Sequence, residues 1–179
     1  MQYAFFFFFE QPIYKVCLLV PVIRKEEIRQ AYLTDTGINP NDVIVIALHY
    51  AEGKKKISMT EMRAFITEEL APVLDDLKVE AVVCCDGDYF KAFTKAAKVE
   101  ANLGYMMDTS FGSYKVAYAP SYAQIFYNPE QTRAKITQGV QAVSNFMAGN
   151  YQTPGNDVIK FAAYPQTDAD IEEWLITLL

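Results

Sequence analysis

Side chains that could do chemistry are few in this sequence and lie far apart. The single histidine, His49, could act as a general base at the end of an apolar run, but no serine or cysteine nucleophile lies beside it. Asp86 and Asp88 flank Gly87 where an apolar run meets a helical pattern, a position at which backbone N–H groups can bind phosphate. Because two carboxylates repel phosphate, we expect them to cap the helix instead. No third ligand accompanies them, so the pattern predicts no metal site.

The cysteines point to a packing role. Cys17, Cys84 and Cys85 are odd in number, and two of them are adjacent on an apolar run. This pattern fits neither a disulfide framework nor a four-cysteine cluster. It predicts reduced thiols in the core of a cytoplasmic protein, with no metal and no cofactor.

Composition predicts one acidic domain with a large core. The 179 residues are 51% hydrophobic and carry a net charge of −6. An acidic chain binds nucleic acid poorly without sequence preference, because that affinity comes from neutralised phosphates. The densest basic run is Lys54, Lys55 and Lys56, which is either a solvated turn or a DNA contact. No apolar run reaches the roughly 20 residues that a bilayer requires, so we expect no membrane association.

Apolar runs alternate with helical patterns along most of the chain. This alternation predicts an α/β fold with a mainly parallel central sheet covered on both faces. The opening "MQYAFFFFFE" lacks the basic start of a signal peptide and is interpreted as a buried first strand. The predicted strands are 3–9, 15–20, 42–50, 80–86 and 114–120, and the predicted helices are 24–33, 58–77, 88–98 and 129–148.

The character of the sequence changes after residue 149. A linker rich in Gly, Pro and Asn is followed by a short extended run and a helix that carries Trp174 on its apolar stripe. The pattern divides the chain into a domain at 1–149 and a connecting segment at 150–179. Because the chain stops at Leu179 on an apolar stretch, we expect the native protein to continue into a further domain.

One segment looks like an active-site loop, "YAPSYAQIFYNPEQTRAKI". A strand enters Ala119, Pro120 and Ser121, and an Asn-Pro turn then starts a helix. Tyr122 could stack on a base. Phe126 is expected to cover the sheet.

The order of these signals over residues 42–147 resembles the uracil-DNA glycosylase superfamily, which implies a three-layer αβα fold. Ala119 stands where the family's loop histidine would be, so its charge stabilisation of the departing base is missing. The family's water-orienting loop corresponds to residues 17–27, which contain no glycine. The resemblance therefore implies a degenerate active-site loop with no catalytic residue. It makes DNA-contact candidates of five residues: Lys54, Lys55, Lys56, Ser121 and Tyr122.

A second resemblance is to the N-terminal region of tailed-bacteriophage family A DNA polymerases. The segment "VIKFAAYPQTDADIEEWLITLL" is similar to the junction that precedes their 3′–5′ exonuclease. It implies a non-catalytic domain of a DNA polymerase in the host cytoplasm, with a structural, DNA-contacting or partner-binding role. Its partners would be the rest of the polymerase chain, DNA and other replication proteins. The alternatives are a divergent active glycosylase and a standalone binding protein.

Overall fold

The chain is described here from a computed structural model that covers residues 1–50 and 57–151. It forms an α/β fold around a six-stranded mixed sheet of order β1-β3-β2-β4-β6-β5. The four inner strands are parallel to one another, and both edge strands run antiparallel. The strands are β1 (Gln2–Phe7), β2 (Val16–Val20), β3 (Val43–His49), β4 (Ala81–Cys84), β5 (Met107–Asp108) and β6 (Lys115–Tyr118).

The inner strands β2, β3 and β4 are nearly continuous apolar runs, as expected for strands that helices cover on both faces. Every residue of β2 is buried, and so is every residue of β3 except His49. The predicted parallel core is therefore confirmed. The prediction of a buried first strand is wrong, because β1 lies at an edge and the ring of Phe5 is 60% exposed.

The helices divide between the two faces of the sheet. One face is covered by the segment from α2 to α3 and by α4, and the other is covered by α1 with its following turn and by α5. The helices are α1 (Lys25–Ile28) with a π-helical turn at Arg29–Leu33, α2 (Met59–Phe65) with a π-helical turn at Ile66–Leu70, α3 (Ala71–Asp76), α4 (Gly87–Thr94) and α5 (Pro129–Met147).

The segment from α2 to α3 shows how local sequence sets helix geometry. Ser58 caps its start in a capping box: its hydroxyl accepts from the N–H of Glu61, and the Glu61 carboxylate accepts from the N–H of Ser58. Pro72 lacks an N–H and would clash with the carbonyl four residues earlier in a regular helix. A π-helical turn directly precedes it, closed by a bond from the N–H of Ala71 to the carbonyl of Ile66.

The end of α4 and the presence of β5 differ from what the sequence predicted. Helix α4 ends at Thr94 rather than near residue 98, because Lys95 adopts a left-handed conformation at φ 58°. The two-residue strand β5 was not predicted, since so short a strand leaves no periodic pattern.

No helix in residues 1–50 and 57–151 is both long enough and apolar enough to cross a bilayer. The segment predicted to follow the domain, with Trp174, falls almost wholly outside the described residues, as do Lys54, Lys55 and Lys56.

Candidate binding site at the carboxyl edge of the sheet

The connections of β2 and β4 place a crevice at the carboxyl edge of the sheet. These two strands are parallel neighbours, but the helix after β2 packs on one face and the helix after β4 packs on the other. In open α/β sheets, ligands bind outside the carboxyl ends of strands at such a switch point. Here the edge carries Val22, Asp86 and the loop that follows β6.

The hydroxyl of Tyr32 fixes the loop after β6. It donates to the carbonyl of Pro120 at 2.7 Å and accepts from the N–H of Tyr122 at 2.8 Å, both in buried positions. Burial raises the pKa of the Cys85 thiol to about 12, and the neighbouring Tyr32 hydroxyl lowers that pKa by a smaller amount. Tyr32 therefore acts as a buried bridge between the helix after β2 and the loop after β6.

Tyr122 is committed to the structure of this loop. Its ring is almost entirely buried and meets the ring of Tyr32 edge to face, with centroids 6.4 Å apart. Its hydroxyl donates to the carbonyl of Val22 at 3.1 Å, which ties the loop to the end of β2. Ser121 starts the following 3₁₀ turn, and its hydroxyl accepts from the N–H of Ala123. The predicted DNA contacts of Ser121 and Tyr122 stay predictions, but the geometry gives Tyr122 a positioning role.

Ala119 lies beneath α5 rather than at the surface. Its side chain is fully buried in the cluster on the α1 and α5 side of the sheet, and Pro120 is also buried. Helix α5 approaches so closely that a Cβ on Gly139 would overlap the carbonyl oxygen of Tyr118 and lie 3.2 Å from the Cβ of Ala119. Of the three residues assigned to a degenerate active-site loop, only Ser121 reaches solvent.

Asp86 caps α4, as the sequence analysis favoured. One of its carboxylate oxygens accepts from the N–H of Asp88 at 2.8 Å and from the N–H of Tyr89 at 3.3 Å. These donors are the ones that a phosphate would need. Cys17, Cys84 and Cys85 are buried and free, as predicted. No group of three or more metal-ligating side chains occurs within residues 1–50 and 57–151.

A groove opens beside the Tyr122 loop, between α1 and the start of α5, and has a volume of about 530 Å³. Its walls are largely apolar, with Val22 and Ile125 among them, and it carries Arg24, Glu27 and Arg133. It is continuous with a second, more polar depression of about 400 Å³, which runs past Thr34 and along α5. The two share Gln30, Ala31, Ile125 and Arg133.

Two aromatic rings stand exposed on this groove. Phe126 and Tyr127 are 86% and 85% exposed, and they meet each other edge to face with centroids 5.3 Å apart. The expectation that Phe126 covers the sheet is wrong, because the 3₁₀ turn Tyr122–Phe126 turns Tyr122 inward and Phe126 outward. The sequence pattern gives no sign of that turn, so the orientation of Phe126 could not be predicted from it.

No protein-family model and no curated protein matches this chain. His49 lies exposed at the carboxyl end of β3 and does not line this groove. The groove at this edge has an apolar and aromatic surface beside a loop that buried hydrogen bonds hold in place. Arg24, at the start of α1, and Arg133, in α5, line the same groove.

Proposed function

We propose that this chain is a non-catalytic glycosylase-like domain of a DNA polymerase, and that it contacts single-stranded DNA through the groove at the carboxyl edge. The exposed pair Phe126 and Tyr127 carries the proposal, because aromatic rings beside a groove are stacking platforms for unpaired bases. A three-layer fold of the glycosylase type accounts for the position of the site. Such a fold places its base-contacting loops at this edge.

The charges of the groove suit a strand that is held mainly by stacking. Arg24 lies 3.8 Å from Glu27, so its charge is partly compensated. Arg133 is exposed, and no ion pair joins it to another described residue. With a net charge of −6 on the chain, stacking must supply most of the affinity, at about 1–3 kcal/mol per base.

Binding of a short labelled oligothymidylate, followed by fluorescence anisotropy, tests the proposal. We expect Phe126→Ala with Tyr127→Ala to weaken binding about 5-fold to 150-fold per stacked base, the range that corresponds to loss of stacking. Tyr105→Ala is the matched control, because Tyr105 is also an exposed aromatic but lies outside the groove. Equal effects of the groove variant and the control, or no binding by the native chain at low salt, would contradict the DNA role.

Salt dependence gives an independent check. If Arg24 and Arg133 are the two phosphate contacts, log K should fall with log salt at a slope of about −1.4, since each phosphate contributes about −0.7 for single strands. Arg133→Gln should halve that slope. A slope several times steeper would mean that basic residues elsewhere, such as Lys54, Lys55 and Lys56, dominate binding.

A protein partner is the second candidate. Aromatic residues and arginine in an apolar depression are also typical of protein interface cores, and an acidic surface suits a protein ligand. A protein partner would be favoured by two results together. The native chain would not bind oligothymidylate, and it would bind a purified replication protein of the same phage in a way that the Phe126 and Tyr127 variant does not.

Two further observations would bear on the rest of the proposal. Release of free uracil from a uracil-containing oligonucleotide would overturn the non-catalytic assignment. An antibody against this domain should detect a native product several times heavier than 20.3 kDa. If the only product detected had a mass of 20.3 kDa, membership of a polymerase would be contradicted.

A further inference from the structure

Strand β1 leaves an unusually unprotected sheet edge. Among the strands of residues 1–50 and 57–151 it is the last on its side of the sheet, and none of them pairs with its outer edge. Natural proteins blunt such edges with short strands, charges or proline. The opposite edge strand, β5, is short, with two residues, whereas β1 has six residues and the sequence QYAFFF without a charge.

The apolar surface around this edge is substantial. Phe5, Phe9 and Ile13 are all exposed, and all three belong to β1 or to the segment that leads from it to β2. The rings of Phe5 and Phe7 stack with centroids 6.3 Å apart, so they lie on the same face of the strand. Tyr3 is on that face too, since it packs with Phe7 against one core cluster, while Phe6 packs against the other.

We propose that the outer edge of β1 pairs antiparallel with β1 of a second copy of this chain, which joins the two sheets into one. A twofold axis normal to the sheet puts the same face of both copies on the same side of the joined sheet. Side chains that oppose each other across the axis therefore come from the same face of β1 in the two copies. With Phe5 opposite its counterpart, Tyr3 of each copy lies opposite Phe7 of the other. This register buries the most exposed ring of the strand against an identical ring.

The β1 edge fits a second copy because the strand is complementary to itself across a twofold axis: apolar rings oppose apolar rings, and QYAFFF brings no like charges into opposition. The net charge of −6 on each chain opposes this association at longer range. One strand edge is a small interface, so we expect a dimer that dissociates on dilution. Because salt screens the repulsion between the copies, dimerisation should strengthen with ionic strength.

Disulfide trapping tests the register directly. Directly opposed residues in antiparallel strands have Cα atoms about 4.5–5.5 Å apart, within the range of about 4.4–6.8 Å that a disulfide requires. The three native cysteines are fully buried, so an introduced cysteine supplies the accessible thiol of the described region. Phe5→Cys should form a covalent dimer on mild oxidation. Ala4→Cys and the edge-strand control Asp108→Cys should not, and efficient trapping of Ala4→Cys instead would overturn the register.

The mass of the unmodified chain in solution tests the association itself. We expect light scattering across a concentration series to show a monomer that converts to a dimer, and Phe5→Lys to remain monomeric with an unchanged circular dichroism spectrum. Phe5 is largely exposed, so a lysine there introduces charge at the edge without disturbing the core. A native chain that stays monomeric at every concentration and salt, with no trapping of Phe5→Cys, would overturn the proposal.

Discussion

Tyr32 and Tyr122 are joined twice, by a buried hydrogen bond of 2.8 Å from the N–H of Tyr122 to the hydroxyl of Tyr32 and by an edge-to-face contact between their rings. The same hydroxyl donates to the carbonyl of Pro120. The hydroxyl oxygen of Tyr32 thus provides the hydrogen-bond partner for two backbone groups of the loop that borders the groove, the carbonyl of Pro120 and the N–H of Tyr122. Without it, a buried donor and a buried acceptor would lose their partners together.

Tyr32→Phe should therefore destabilise the chain by about 1–3 kcal/mol, the usual cost of leaving a buried polar group unsatisfied. Urea unfolding followed by circular dichroism measures this change. Tyr127→Phe is the control, since the ring of Tyr127 is 85% exposed and the loss of its hydroxyl should change the free energy of unfolding little. Equal effects of the two variants would show that the Tyr32 hydroxyl does not hold the loop.

Gly139→Ala should be destabilising even though alanine favours helix by about 1 kcal/mol. The added methyl would overlap the carbonyl oxygen of Tyr118, so α5 would have to move away from the sheet. Overpacking of this kind costs about 1–3 kcal/mol or more. The matched control is Gly87→Ala, where a Cβ would meet only Val99 at an ordinary 3.5 Å. Thermal unfolding measures the stability of both variants. If Gly139→Ala left the melting temperature unchanged, the close approach of α5 to the sheet would be contradicted.

Ala119→His should unfold or destabilise the domain and release no uracil. The side chain of Ala119 is fully buried under α5, so an imidazole there has neither the space nor the exposure to reach a base. Calorimetry reports the loss of stability, and an assay with uracil-containing DNA reports activity. A stable variant that releases free uracil would contradict this account of the loop.

The buried thiols should link stability to alkaline pH. Burial raises the pKa of Cys85 from 9.0 to about 12, and it raises the pKa of Cys17 and Cys84 as well. The protonated thiols thus favour the folded state, and this stability is complete below pH 9 and is lost as pH rises towards the folded pKa values. The free energy of unfolding should fall above pH 9, by up to about 1.4 kcal/mol per pH unit for each thiol.

Thiol labelling at pH 8 provides a second readout. In the native chain the cysteines should react with a disulfide reagent only at the rate of unfolding, and in urea they should react at once. Fast labelling of the native chain would show that at least one thiol is open to solvent.

The sequence predicted the parts of the fold that local chemistry decides. The apolar runs of β2 and β3 predict strands buried on both faces, and the helix cap at Asp86 follows from residue type and position. A run of phenylalanines cannot tell an edge strand from a central one, so β1 was misjudged. Whether a strand is central or at an edge depends on which strands pair with it, and the local sequence does not show that.

The site was less accessible to sequence reasoning. Tyr32 reaches a loop some 90 positions further along the chain, and its own surroundings in the sequence give no sign of this. The outward orientation of Phe126 depends on a short 3₁₀ turn that carries no apolar period. The glycosylase resemblance and the roles of Lys54, Lys55, Lys56, Ser121 and Tyr122 in binding DNA stay predictions.

The π-helical turn before Pro72 has a consequence for the repeat of the buried side chains around it. Met62, Ile66, Leu70 and Leu74 are fully buried and recur every four residues. In a regular α-helix each such step overshoots a full turn by about 40°, so the last side chain would drift about 120° around the axis. The π-helical turn has more residues per turn, so each residue rotates less and part of that drift is cancelled. Deleting one residue between Ile66 and Leu70 would rotate the following side chains by about 100° and turn Leu74 away from the sheet.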